Sequence, residues 1–166
     1  MKLSNALIGG LAGAITVTAL NEITRQILPE APRLDLLGMR AITASLDKMG
    51  RIPPEVDVLR PVALGGDIVA NSLYYSLVGL LGGSKLAWAA GIGFGLAAGL
   101  GAVFLPARLQ LGSAPTGRSR VTQILTVAYY LQAGVISALT ARMLTKNAGG
   151  SGDLGQMEWM AHTEES

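Results

Sequence analysis

The chain has 166 residues, of which 50% are hydrophobic and 14% are charged, and it contains 22 glycines and no cysteine. Soluble domains carry about 25% charged residues, so this composition, with a mean hydropathy of +0.44, indicates a membrane protein. The net charge of +2 is too small to indicate a nucleic-acid-binding protein, and the lack of cysteine excludes disulfides, thiolate zinc sites and cysteine-ligated iron–sulfur clusters.

The first apolar segment covers residues 3–28 and ends before Pro29. About 20 apolar residues are enough for a helix to cross a bilayer, so this segment is predicted to be the first membrane span. Gly9 and Gly13 lie four residues apart within it. Such spacing forms a short row of small residues, where another helix can approach closely.

Residues 33–50 combine apolar and charged positions. Leu36, Met39 and Ile42 recur at helical spacing, while charged residues occupy the other faces. The pattern predicts an amphipathic helix. It is typical of a helix lying in the headgroup plane and equally of a helix folded back onto the end of the bundle, and the sequence leaves both interpretations open. Residues 55–61 are predicted to lead extended into the next span.

The second predicted span, residues 65–83, is more polar than the first. Asp67 follows two glycines and precedes an apolar run. It is interpreted as the N-cap of the helix or, alternatively, as a functional group inside the membrane. A tight turn is predicted at residues 82–84. The polar side chains expected to line a groove between the second and fourth spans are Asp67, Asn71, Tyr74, Tyr75, Tyr129, Tyr130 and Gln132.

The third predicted span, residues 86–105, carries no charge and is closed by Pro106. Gly91, Gly95 and Gly99 lie four residues apart, and Ala87 extends the row by one turn. In lipid this row forms a flat contact surface for another helix. Two interpretations stay open: the row packs against a helix of the same chain, or against a partner subunit or a flat ligand such as a lipid, quinone tail or pigment.

The fourth predicted span covers residues 121–144 and completes a bundle over residues 1–146. Residues 106–112 repeat part of the pattern of residues 32–38, and a tyrosine pair occurs in both the second and fourth spans. Two hairpins related by an axis along the membrane normal would produce this order, although chance would too. The predicted fold is therefore all-α, with four transmembrane helices as two hairpins plus an interfacial amphipathic helix.

Residues 147–166 are predicted to form a flexible linker and an acidic C-terminal tail. Glycine and serine dominate its first part, and acidic residues follow. The apolar side chains Met157, Trp159 and Met160 interrupt this polar tail. We expect these three side chains to bind a partner.

Basic residues predict the orientation in the membrane, because cytoplasmic connections are enriched in lysine and arginine. The segments after spans one and three hold most of the arginines, so both termini are expected on the non-cytoplasmic side. The segments APRLDLLGMR (residues 31–40) and NSLYYSLVG (residues 71–79) resemble small polytopic bacterial inner-membrane proteins without an assigned activity. This resemblance implies a bacterial inner membrane and no particular mechanism.

Catalytic groups are scarce in the predicted spans. The only histidine is His162 in the tail, so no span supplies a histidine base or haem ligand, and neither a metal site nor a cofactor is predicted. Glu22 and Arg25 are expected to form a surface ion pair. We therefore expect a non-catalytic accessory or scaffolding subunit of an inner-membrane complex, which binds other membrane subunits or itself through small-residue packing, together with lipids.

Two other functions stay open. A small-solute carrier or channel, as a dimer, is suggested by the hairpin repeat and the polar residues near Asp67. A lipid-modifying enzyme would need Glu22 or Asp67 as its base.

Overall fold

The computed structural model describes residues 2–81 and 86–164, with side chains described through residue 147. These residues contain no strand, which confirms the all-helical prediction. The helices are α1 (Leu3–Ile27), α2 (Leu34–Lys48), α3 (Val56–Leu81), α4 (Leu86–Arg108), α5 (Ala114–Gly117) and α6 (Arg120–Glu164).

The four long helices form an antiparallel bundle in which α1 packs between α3 and α6, and α4 packs against α6. Helices α3 and α4 contact each other less extensively than α1 contacts α3 or α4 contacts α6. The side chains of Tyr74 and Phe94 meet between them. One end of the bundle, called the connecting end below, is where α1 and α4 end and α3 and α6 begin. The short helices α2 and α5 pack at this end, whereas α1 begins and α3 ends at the opposite end.

Three helices are long and apolar enough to cross a membrane: Leu3–Ile27, Leu86–Arg108 and Arg120–Asn147, with mean hydropathies of 1.6, 1.8 and 1.5. The predicted second span lies in α3, which has 26 residues but does not belong to this set. Polar residues within α3, such as Asp67 and Asn71, reduce its hydropathy. By length and composition, three of the described helices are therefore candidate membrane spans.

The beginning of α3 differs from the prediction. Residues 55–61 were expected to be extended, but α3 begins at Val56 and contains Pro61 in its second turn. A proline has a fixed φ that is compatible with helix, and at the sixth residue of α3 its missing N–H removes only the bond to the Asp57 carbonyl. Asp67 therefore lies inside the helix, and its interpretation as an N-cap is wrong.

The end of α4 also differs from the prediction, because Pro106 lies inside the helix and α4 continues to Arg108. Pro106 has no N–H to donate to the carbonyl of Ala102, four residues earlier. The Thr116 hydroxyl, in α5, donates to that carbonyl at 2.6 Å instead. The proline is thus accommodated because α5 satisfies the carbonyl that it leaves free.

Helix α2 lies within the segment predicted to be amphipathic and packs against α3. Met39 forms a small apolar cluster with Leu59 and Ala63 of α3, and Leu36 and Ile42 pack against its edge. This packing agrees with the interpretation of a helix folded back onto the end of the bundle.

The centre of the bundle is filled by apolar and aromatic side chains. The buried members of the main core are Val17, Leu34, Tyr75, Val78, Tyr129, Tyr130, Ala133 and Ala138. Large apolar side chains are also exposed on every long helix, including Ile15, Val69, Leu100 and Ile124. An apolar exterior around a packed interior is the arrangement expected when lipid surrounds the bundle.

Helix α6 continues beyond the predicted end of the fourth span to Glu164. Residues 147–164 were predicted to be a flexible linker and tail, but their described backbone is helical. No proline occurs after Pro115, so nothing in the sequence forces the helix to stop, although glycines weaken it. The side chains of Met157, Trp159 and Met160, and the turn predicted at residues 82–84, lie outside the described residues.

Candidate functional site

The longer glycine row packs against α6 of the same chain. A Cβ atom built on Gly91 would lie 2.5 Å from the carbonyl oxygen of Gly134, and one on Gly95 would lie 2.8 Å from Cα of Leu131. Gly99 meets α6 in the same way, at Cα of Val127, and Ala87 is buried as well. The structure thus places this row inside the bundle, so it is not a surface for a partner subunit or flat ligand.

The shorter row on α1 also contacts α6. A Cβ on Gly9 would lie 2.9 Å from the carbonyl oxygen of Ser137, and one on Gly13 would lie 2.7 Å from that of Ala133. Both predicted rows are therefore used for packing within the chain. Neither row therefore forms an outward contact surface.

Asp67 and Asn71 form a polar pair inside the bundle. The Asn71 side-chain amide donates to Asp67 Oδ1 at 2.9 Å and to the Asp67 carbonyl oxygen at 3.0 Å. Thr18 of α1 and Tyr130 of α6 lie near this pair. The structure thus joins three of the residues predicted to line a polar groove.

Two of the predicted groove tyrosines hold helices together. The Tyr75 hydroxyl donates to the Tyr130 carbonyl oxygen at 2.7 Å, and the Tyr74 hydroxyl donates to the Phe94 carbonyl oxygen at 3.0 Å. The first bond joins α3 to α6, and the second joins α3 to α4. Each buried hydroxyl is therefore satisfied by helix packing and needs no ligand.

Tyr129 and Gln132 do not belong to the Asp67 cluster. The Tyr129 hydroxyl lies 2.6 Å from Thr24 Oγ1 and joins α6 to α1. Gln132 is exposed on the outward side of α6. Their assignment to the groove is wrong, because on α6 Tyr129 points about 100° and Gln132 about 160° away from Tyr130, which lies near the Asp67–Asn71 pair.

A network of charged side chains occupies the connecting end. Glu22 accepts from Arg25 at 2.7 Å and from Arg60 of α3 at 3.2 Å. Arg60 Nε also lies 3.6 Å from Asp35 Oδ2. The network therefore links α1, α3 and the start of α2, and the predicted Glu22–Arg25 surface pair is only one part of it.

Asp35 is the most buried member of this network, with 1% of its side chain exposed. Arg33 donates to both carboxylate oxygens at 3.0 Å. Burial alone would raise the pKa of Asp35, but the hydrogen bond and charge of Arg33 hold the pKa below its ordinary value. The sequence analysis did not identify Asp35 and Arg60, because Arg60 lies far along the chain from both of its partners, Glu22 and Asp35. The only local indication was that Arg33 and Asp35 lie two residues apart.

Buried polar atoms without a hydrogen-bond partner among the described residues gather between α1 and α3. They are Thr18 Oγ1, Asn21 Oδ1, Glu22 Oε1, Arg25 Nε, Arg60 Nε and Ser72 Oγ. The Asn21 residue is only 1% exposed. Such a group of donors and acceptors can bind water or another small polar molecule.

The part of the chain that the structure describes contains no group of three or more histidine, cysteine, aspartate or glutamate side chains that could hold a metal ion. No known family, curated protein or solved structure matches this chain. Its function is therefore inferred from the geometry of its own residues.

Proposed function

We propose that this protein is a non-catalytic accessory or scaffolding subunit of a bacterial inner-membrane assembly and that it contacts its neighbours through the lipid-facing side of α6. The observation that carries the proposal is the position of Gln132. This residue is exposed near the middle of the candidate span Arg120–Asn147 and has no hydrogen-bond partner among the described residues.

An exposed amide at this depth is unfavourable in a monomer. The bilayer core contains no water to bind the amide, and each unsatisfied polar group there costs several kcal/mol. A neighbouring helix that supplies a donor or acceptor recovers about 1–2 kcal/mol. Ile124, Ala128 and Ile136 continue the Gln132 row at intervals of four residues. This row provides an apolar surface on both sides of the amide.

A second copy of the chain is the partner that fits Gln132 best. The glutamine side chain is both a donor and an acceptor. Around a two-fold axis along the membrane normal, two Gln132 side chains would each donate to the other, as in any isologous contact. Larger assemblies would add further subunits to this dimer.

The proposal includes α3 as a fourth span. Helix α3 is antiparallel to α1, and its outward residues Val69, Leu73, Leu77 and Leu80 are exposed and apolar. Its polar residues Asp67 and Asn71 bind each other inside the bundle, which is how polar side chains are accommodated in spans. The hairpins α1–α3 and α4–α6 then place the arginine-rich connecting end in the cytoplasm and α2 at the headgroup layer.

Cysteine cross-linking in native membranes tests the dimer. The chain has no cysteine, so Ala128→Cys introduces a single thiol one turn from Gln132. We expect this variant to form a disulfide-linked dimer upon oxidation. Adding Gln132→Leu should weaken dimerisation about tenfold, because two interhelical hydrogen bonds are lost.

Val69→Cys is the matched control, since Val69 is exposed on α3, away from the proposed contact. It should give little dimer at the same expression level. Equal cross-linking at residues 69 and 128, or cross-linking at residue 128 that Gln132→Leu leaves unchanged, would contradict the proposal.

A second candidate function is transport of a small solute or protons. It is favoured by the Asp67–Asn71 pair and by the unpartnered polar atoms between that pair and the connecting end. In this case proteoliposomes containing the protein should show proton flux, measured with a pH-sensitive dye in the lumen. Asp67→Asn should abolish the flux, and flux equal to that of empty liposomes would remove this candidate.

A further inference from the structure

An apolar cleft lies between α3 and α4, on the connecting side of their contact at Tyr74 and Phe94. Those two rings pack edge to face with centroids 5.3 Å apart. Beyond them lies a cleft of about 370 Å³, whose lining includes Ala97, Gly101 and Leu105 of α4 and Tyr130 of α6. The cleft lies beside the candidate span Leu86–Arg108 and therefore at the depth of lipid chains.

Small residues of α4 create this cleft. Its lining includes four small residues of α4, Ala97, Ala98, Gly101 and Ala102. Their short side chains leave space beside the helix along two turns. A Cβ on Gly101 would meet only the end of the Leu105 side chain, at 3.1 Å. A large side chain at residue 101 would therefore extend into the cleft without colliding with another helix backbone.

An arginine side chain contacts the connecting end of the cleft. Leu37 of α2 and Leu111 close this end, and Leu111 also lines a second groove of about 440 Å³ that contains Arg40 and Asp47. Arg40 Nη1 donates to the Leu111 carbonyl oxygen at 2.9 Å. Arg108, exposed at the end of α4, lies next to Leu109, which also lines the cleft.

We propose that this cleft binds one acyl chain of an anionic phospholipid, whose phosphate is bound by Arg40 and Arg108. The chain would occupy the apolar cleft, and Arg40, bound to the carbonyl of the cleft-lining Leu111, and the exposed Arg108 would meet the headgroup. Lysine and arginine near a membrane surface attract anionic lipids, and arginine binds phosphate through several parallel donors. Because Asp47 would repel a phosphate, the headgroup is assigned to the Leu111 side of the second groove.

Native mass spectrometry tests the proposal with the full chain, purified in detergent and equilibrated with equal amounts of phosphatidylglycerol and phosphatidylcholine. We expect bound phosphatidylglycerol in preference to phosphatidylcholine. Gly101→Leu should reduce lipid occupancy by about tenfold or more, because the leucine side chain would occupy the space in the cleft that methylene groups of the acyl chain fill. Arg40→Gln should reduce the preference for phosphatidylglycerol by about fivefold and leave chain binding in place.

Gly93→Leu is the matched control on the same helix, since a Cβ there meets nothing within 4 Å and Gly93 lies outside the cleft. It should retain full lipid occupancy, and so should Gln132→Leu, because the cleft does not depend on the proposed dimer. Unchanged occupancy in Gly101→Leu, or unchanged preference in Arg40→Gln, would overturn the proposal.

A second measurement holds even if Gly101→Leu fails to fold. Phosphatidylglycerol with a photoreactive group near the end of its acyl chain should label the wild-type protein within residues 97–111. Labelling confined to other segments would show that the cleft is not the binding site.

Discussion

Replacing Gly91 with alanine is expected to destabilise the bundle by about 3 kcal/mol, at the upper end of the range for overpacked cores. The added methyl group would lie 2.5 Å from the Gly134 carbonyl oxygen and 2.9 Å from Cβ of Ala138. The first of these neighbours is backbone and cannot rotate away. Helices α4 and α6 would therefore have to separate, which would loosen the contact along the whole glycine row.

The same substitution at Gly93 provides the control. Gly93 lies half a turn from Gly91 on α4, and a Cβ there would meet nothing within 4 Å. Alanine at this position should leave the free energy of unfolding unchanged or raise it slightly, because glycine costs more conformational entropy. The pair separates the effect of packing from the effect of helix propensity.

Equilibrium unfolding of both variants in mixed detergent micelles, followed by far-ultraviolet circular dichroism, measures this difference. Equal stabilities for Gly91→Ala and Gly93→Ala would show that α4 does not pack on α6 through this row. A large loss at Gly93 and none at Gly91 would mean that the opposite face of α4 is buried.

The sequence was a good guide where a local pattern determines structure. The uncharged segment containing Gly91 was predicted to be a helix with a small-residue contact surface, and it lies in α4, which is long and apolar enough to cross a membrane and packs against α6 through this row. Residues 3–28 and 33–50 are close to the observed α1 and α2. The choice between a partner and the same chain could not be made, because it depends on where α6 lies.

The errors occurred at prolines and at side chains whose neighbours come from elsewhere in the chain. Pro106 was expected to end α4, but the sequence does not reveal that Thr116 would satisfy the carbonyl of Ala102. Residues 55–61, which end at a proline, were expected to be extended, but α3 begins at Val56. Gln132 was assigned to an internal groove on composition alone, and only the packing of α6 shows which of its sides faces outward.

The charged network was missed for a related reason. Glu22 and Arg60 are 38 residues apart, and neither has a local pattern that distinguishes it from other surface charges. The network forms because α1 and α3 are antiparallel and because α2 begins beside them. Once these three elements are placed, Asp35 has to bind arginine, since an unpaired buried carboxylate would be strongly unfavourable.

Asp35→Asn is accordingly expected to lower the free energy of unfolding by about 2 kcal/mol near pH 7. The change leaves Arg33 and Arg60 beside a neutral amide. The loss should be smaller than the 3–5 kcal/mol typical of fully buried pairs, because 39% of the Arg33 side chain and 37% of the Arg60 side chain are exposed and water screens them. Glu30→Gln, at an exposed position between α1 and α2, should have almost no effect.

The pH dependence of this difference distinguishes a charge effect from a packing effect. The pKa of Asp35 is lower in the folded protein than its ordinary value, so the folded state binds the proton less tightly than the unfolded state. Its contribution is therefore complete above the ordinary value of about 3.9 and is lost as the pH falls through the lower, folded value. The free energies of unfolding of wild type and Asp35→Asn should thus begin to converge below about pH 4, whereas a difference that stays constant down to pH 3 would mean that the carboxylate acts through shape and not through charge.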